Sequence, residues 1–131
     1  MKSQETLAIW HKCIEERDMS LLDSILHDDV VFYSPVIFRP QHGKALTSMY
    51  LQGASMVLNK KTFVYTKEVV NENHLFLEFE CTVDDILING IDMITLNDDG
   101  KIIEFKVMMR PMKAIFLMKE KMAALLEAMK S

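Results

Sequence analysis

One acid of this chain stands where an oily residue belongs. Asp92 lies in the stretch Gly90 to Pro111, GIDMITLNDDGKIIEFKVMMRP, which reads as a β-hairpin. Asn97-Asp98-Asp99-Gly100 is a turn signal between two β-prone runs, because Asn and Asp bond their own backbone and Gly tolerates positive φ. A four-residue loop would pair Leu96 with Lys101, Ile94 with Ile103 and Asp92 with Phe105. Side chains alternate along a strand, so Asp92, Ile94 and Leu96 share a side with Ile103, Phe105, Val107 and Met109. Glu104 and Lys106 point the other way. The register and the apolar pattern agree, as they should where one face is buried.

A carboxyl on such a face either finds partners or stays protonated, because an unpaired buried charge is costly. Two roles follow. Asp92 is a pocket acid, a neutral hydrogen-bond donor to a ligand oxygen, or it is a structural aspartate bonded to a backbone amide or to Arg110. A strand-end bulge would turn it outward instead. As a pocket acid, its natural work is that of a general acid or oxyanion donor in a proton-transfer or cyclisation step.

Other chemistries find no support. The histidines are His11, His27, His42 and His74, and none has a second ligand at helical spacing, so no metal site is expected. Cys13 and Cys81 are too few for a disulfide framework, and Cys81 falls on an apolar strand face where thiols pack inertly. Nucleophile-elbow, Walker and dinucleotide-glycine motifs are missing, so no cofactor is expected. His42 with Arg39 reads either as a polar pocket rim or as solvated loop.

The elements that would place Asp92 follow from periodicity. Ser3 to Arg17 is a helix with Leu7, Trp10 and Ile14 on one stripe and Cys13 beside it. Trp10 is either a core anchor or a pocket wall with its indole N–H as a donor. Ser20-Leu21-Leu22-Asp23 matches a capping box and starts a short helix closed by His27-Asp28-Asp29. Val30 to Ser34 is a strand halted by Pro35, and the prolines at 35 and 40 make the segment to Gly43 a loop. Lys44 to Leu58 is a helix burying Leu46, Met49, Tyr50, Gly53 and Val57.

From Thr62 the period becomes two, with Phe63, Tyr65 and Val69 on one side. The clearest strand carries Leu75, Leu77, Phe79, Cys81 and Val83 inward, and Asp84-Asp85 bends the chain before Ile86. Pro111 suits a first helical turn, and Met112 to Lys130 is amphipathic with Ile115, Met118, Met122, Leu125 and Met129 on its stripe. That stripe packs on the sheet, closes the pocket mouth or meets a partner. Segregated helices and strands mean α+β: a curved sheet wrapped around N-terminal helices, a cone-shaped roll with a C-terminal amphipathic helix.

With 131 residues the chain is expected to form one domain, residues 1–131. A net charge of −4 with dispersed acids and no basic stripe argues against nucleic acid. The start MKSQETLAIW has no apolar leader core and no run is long enough to span a bilayer, so a cytoplasmic protein with free thiols is expected. Most of the 11 methionines read as adaptable core filler.

The element order, with DDVVFYSPV at Asp28 to Val36, the Gly43-Lys44 helix start and the late hairpin, resembles the nuclear transport factor 2-like superfamily. Within it, the chain is similar to the SnoaL-like polyketide cyclases and the ketosteroid isomerases. The resemblance implies a cystatin-like α+β roll and a homodimer pairing through the outer face of the sheet. It implies no single activity, since the fold serves isomerases, cyclases, dehydratases, ligand binders and transport adaptors. Ketosteroid isomerases carry a basic Asp just before the proline that ends the first strand; here that position is Ser34. Their first-helix tyrosine donor corresponds to Trp10. Asp92 matches their second oxyanion donor, an acid kept protonated by an apolar site.

The sequence therefore implies an apolar small-molecule ligand, cyclic or acyl, in a cavity lined by Trp10, Tyr33, Ser34, Tyr50 and Phe63. Tyr65, Phe79, Asp92, Phe105 and Met109 complete the expected lining, strand parity favouring Met109 over Met108. Any reaction would be acid–base chemistry of the isomerase or cyclase kind. The rival reading is a non-catalytic dimeric interaction module with a vestigial pocket, its function carried by exposed sheet residues and the Met-rich last helix.

Overall fold

A computed structural model describes residues 2–58 and 61–129. Helix α1 (Lys2–Glu16) is followed by a 3-10 turn (Met19–Ser24), strand β1 (Leu26–Tyr33), a short strand β2 (Gln41–His42) and helix α2 (Lys44–Val57). Strands β3 (Val64–Asn71), β4 (His74–Val83), β5 (Ile86–Leu96) and β6 (Ile102–Arg110) then lead into helix α3 (Met112–Met129). The six strands form one sheet in the order β2-β1-β6-β5-β4-β3. Only β1 and β6 run parallel; every other neighbouring pair is antiparallel. This is the expected α+β roll, with the sheet curled over α1 and α2.

The start of the chain differs from its sequence pattern. Asp18, not Ser20, caps the second helical element, its carboxylate accepting from Ser20 N at 3.1 Å. That element is a single 3-10 stretch, and β1 begins at Leu26 rather than Val30. Leu26 and Val30 are buried, and Ile25 O accepts from Ile102 N at 2.7 Å, so the first strand reaches the β6 edge early. Part of the segment read as loop also pairs: Val31 and Phe32 stand against His42 and Gln41.

The hairpin at Asp92 has a different register from the expected one. Asn97 N donates to Lys101 O at 2.8 Å, and the Asn97 side chain accepts from the amides of Asp99 and Lys101, closing a tighter loop with Gly100 at φ +83°. Leu96 consequently pairs with Ile102 and Thr95 with Glu104. Ile103 is the extra residue of a bulge, and it faces out while Ile102 is buried. Beyond the bulge, Ile94 faces Phe105 and Asp92 faces Val107, not Phe105. The side-chain parity of Phe105, Val107 and Met109 is nonetheless the expected inward one.

A second bulge lies in β3, where Tyr65 pairs with Phe79 and Lys67 with Glu78, leaving Thr66 over. It reverses the alternation, so Val69 points outward and Val70 packs on the core, against the expected pattern. In β4 the inward set Leu75, Leu77, Phe79, Cys81 and Val83 is buried as expected. Asp84 and Asp85, both at positive φ, form the tight link between β4 and β5.

Helix α2 buries Thr47, Leu51 and Gly53, a face turned slightly from the expected one. Gly53 lets Met122 and Leu125 of α3 approach, since a Cβ there would meet Met122 Cε at 3.1 Å. Ala114 and Met118 bury the start of α3 against Phe79, Cys81 and Ile88. Helix α3 thus packs within its own chain. Of its expected stripe, the Met129 side chain and Lys130 lie outside the described residues.

Candidate functional site

Between α1, α2, α3 and the concave side of the sheet lies a cavity of about 520 Å³. Helix α1 contributes Trp10, whose ring is buried and meets Phe105 edge-on at 5.1 Å between centroids. Strand β1 contributes Phe32, and α2 contributes Tyr50, stacked on Phe32 at 5.8 Å. Phe63, Tyr65 and Phe79 form an aromatic wall, Phe63 lying parallel to Phe79 and edge-on to Tyr65. Val107 and Met109 from β6 and Met118 and Met122 from α3 complete the apolar surface.

Of the residues expected at this site, Trp10, Ser34, Tyr50, Phe63, Tyr65, Phe79, Asp92, Phe105 and Met109 line the cavity. Tyr33 does not. Strand alternation sends Tyr33 to the other face, where Lys106 Nζ sits 4.9 Å from its ring centre, and Phe32 takes the inward position. The shift follows from β1 starting at Leu26, with Val30 and Phe32 on the buried parity.

Asp92 is 6% exposed, and its hydrogen bond comes from Tyr65, whose hydroxyl donates to Oδ2 at 2.7 Å. Among the described residues, neither a backbone amide nor Arg110, the partners expected of a structural aspartate, bonds it. Trp10 Nε1 in turn donates to the Tyr65 hydroxyl at 2.9 Å. An indole nitrogen only donates, so the chain runs Trp10 to Tyr65 to Asp92 in one direction. The Trp10 N–H is thereby committed to Tyr65 and is not a free donor for a ligand.

Burial pushes the Asp92 carboxyl up to about 7, while the Tyr65 hydrogen bond pulls it down. Burial and the neighbouring Asp92 raise the Tyr65 hydroxyl well above its ordinary range. Near neutral pH a large share of Asp92 is therefore protonated. With Oδ2 accepting from Tyr65, the carboxyl proton belongs on Oδ1, where it can be offered to a guest.

Ser34 has a local task. Its Oγ accepts from Val36 N at 3.0 Å and Ile37 N at 3.4 Å, holding the turn at Pro35.

The polar end of the cavity holds residues that were not expected there: His11, Glu15, Arg17 and Glu68. His11 Nε2 is in a short hydrogen bond with Glu68 Oε2, and its ring lies 5.9 Å from that of Tyr65. Arg17 donates to Leu58 O at 3.0 Å. The available signal for His11 was its place in sequence, one step from the inward Trp10. Glu68 was hidden by the β3 bulge. Among the described residues, no group of three His, Cys, Asp or Glu side chains comes together as a metal site would need. Among them too, no helix is long and apolar enough to cross a membrane.

The model of the SnoaL-like domain family matches residues 8–105. The chain belongs to this family. Solved structures agree with the SnoaL-like assignment. A crystal structure described as a steroid delta-isomerase from Pseudomonas aeruginosa is 36% identical, with a TM-score of 0.93, over 98% of this chain and 93% of the other. A protein with a cystatin-like fold from Silicibacter pomeroyi is 30% identical, with a TM-score of 0.86, over 93% of this chain and 85% of the other. An NTF2-like protein from Burkholderia xenovorans shares the fold at 15% identity and a TM-score of 0.67, covering 82% of each chain. No curated protein matches. This SnoaL-like chain is thus a nuclear transport factor 2-like roll, as its sequence resemblance implied.

Proposed function

We propose that this SnoaL-like protein binds an apolar, oxygen-bearing cyclic molecule and carries out acid–base chemistry of the isomerase kind, with protonated Asp92 holding the ligand oxygen. One observation carries the reading: the buried Asp92 carboxyl, set among aromatic rings of the cavity wall, is kept neutral in large part by burial and is oriented by Tyr65. A neutral acid in an apolar recess is suited to stabilising charge that develops on a carbonyl oxygen. The volume of about 520 Å³ lies within the usual range for small-molecule sites, roughly 300–1,000 Å³. The likeness to the protein described as a steroid delta-isomerase favours a polycyclic ketone as the first probe.

Binding of a steroid ketone to the wild type and to Asp92→Ala tests this, with equilibrium dialysis as the readout and Trp10 fluorescence as a second signal. Trp10 is the only tryptophan and lies in the wall. Wild-type binding that weakens about tenfold in Asp92→Ala, near the value of one hydrogen bond between neutral groups, is expected, since Ala has no donor to offer. Equal binding by both proteins would refute the role given to Asp92.

The outer face of the sheet supports a homodimer as part of the same proposal. Val69, Phe76 and Met108 are exposed there, and the cross-strand pairs Val69–Phe76 and Ile91–Met108 set them on neighbouring rows.

A further inference from the structure

We infer that His11, held by Glu68, is the general base of this cavity, taking a proton from the carbon beside the ligand carbonyl while Asp92 holds the carbonyl oxygen. This inference rests on the reading that a ketone binds with its oxygen at Asp92.

A base is needed because Ser34, at the strand end before Pro35, is engaged in a turn and has no group to activate it among the described residues. The cavity-lining side chains able to accept a proton, apart from Asp92 itself, are His11, Glu15 and Glu68. Glu15 is exposed and has no hydrogen-bond partner among the described residues. His11 and Glu68 are tied to each other, each about one-third exposed.

The pairing sets the roles. A carboxylate only accepts, so His11 Nε2 carries the hydrogen donated to Glu68. The lone pair of neutral His11 is then on Nδ1, which has no partner among the described residues. Tyr65 ties base to acid: its ring packs on His11 at 5.9 Å and its hydroxyl bonds Asp92 at 2.7 Å. Proton acceptor and oxygen holder therefore share one wall, the arrangement a ketone needs if its α-carbon faces one and its oxygen the other.

The step balances within the site. His11 Nδ1 takes the α-proton, the C–H electron pair becomes the new C=C bond, and the carbonyl π pair moves onto oxygen against the Asp92 hydroxyl. The imidazolium that forms is stabilised by Glu68. Return of the proton to the far end of the dienolate yields the conjugated ketone and neutral His11. No oxidant, reductant or co-reactant enters.

The test uses the full chain and a steroid ketone whose double bond is one carbon removed from conjugation. Binding is read by equilibrium dialysis, and turnover by conjugated-enone absorbance and by deuterium uptake in heavy water. His11→Ala and His11→Gln should each slow turnover and exchange by about a hundredfold or more while binding stays within about threefold. Added imidazole should restore part of the His11→Ala rate, and Glu68→Gln should lose roughly tenfold. Wild-type rates in either His11 variant, or a loss in His11→Ala that imidazole does not touch, would overturn the assignment. Wild-type protein that binds the ketone but never exchanges its proton also overturns it, leaving the binding reading intact. Failure of the wild type to bind overturns both.

Discussion

The Tyr65 hydroxyl and the Asp92 carboxyl meet at 2.7 Å on a cavity wall that is mostly aromatic and aliphatic. Each partner changes the other. Tyr65 eases the ionisation that burial opposes, and Asp92 makes ionisation of the phenol harder. Trp10, donating to the same hydroxyl, fixes which way the bond points. The result is a carboxyl with one oxygen anchored and the other able to present a proton.

Removing that anchor should be visible in titration. Tyr65→Phe deletes the one interaction that lowers the Asp92 pKa, so the midpoint should move above its wild-type value near 7. The variant also leaves the buried Trp10 N–H unpaired, costing about 1–3 kcal/mol of stability. Carboxyl-carbon NMR across the titration, with urea melts alongside, checks both; a midpoint that falls would contradict the bonding described here.

Asp92 should also make the fold less stable as pH rises. Its folded-state pKa lies above its unfolded value, so the unfolded chain loses the proton first. The advantage of the protonated buried form is whole below about pH 4, declines through the interval up to about 7, and is gone above it. A rise from 3.8 to about 7 corresponds to about 4 kcal/mol. Asp92→Asn removes this dependence. Relative to the wild type it should gain several kcal/mol between about pH 4 and about pH 9, in denaturant midpoints compared at matched salt. A constant difference across that range would mean Asp92 is solvated.

How much of this was legible in the sequence depends on which force set each feature. Strict alternation in Leu75 to Val83 showed β4 directly, because one face is buried along its whole length. Asp92 stood out for the same reason, as a polar residue on an apolar parity. Its partner did not, because Tyr65 lies 27 positions away and is brought over by β3 pairing with β4. The bulges at Thr66 and Ile103 were invisible, since an extra residue leaves no mark in a two-residue period until the partner strand is known. The first displaced Val69 from the core. The early start of β1 put Phe32 in the cavity in place of Tyr33, and Leu26 looked helical only because it followed Leu22 and Ile25 at helical spacing.

If the outer sheet face is a dimer interface, a charge placed in it should separate the copies. Val69 is 59% exposed and Met108 52%, and neither supports the core. Met108→Glu, or Val69→Lys for comparison, should leave the far-ultraviolet circular dichroism unchanged and convert a dimer to a monomer in sedimentation velocity at about 10 µM. Wild-type protein sedimenting as a monomer at that concentration would remove the proposal.

Gly90 offers the most local check on the cavity wall. It stands directly across from Phe79 in the β4–β5 ladder, and the aromatic ring lies over it. A Cβ built there would come within 2.5 Å of Phe79 Cζ and 2.8 Å of Met108 O. Both contacts are too short for a real Cβ, so the ring must swing away and the β5 and β6 backbones must part slightly. Phe79 is stacked on Phe63 and lines the cavity, and the open side for its movement is the cavity itself. Gly90→Ala should therefore cost about 1–3 kcal/mol, the usual range for overpacking. It should also weaken a bound steroid ketone more than the loss of stability alone explains, because the displaced ring enters the ligand's space. Thermal melts and dialysis on the same preparation separate the two effects. Combining Gly90→Ala with Phe79→Leu, which removes the clashing ring edge, should recover part of the stability, and the part not recovered is the strain against the Met108 carbonyl.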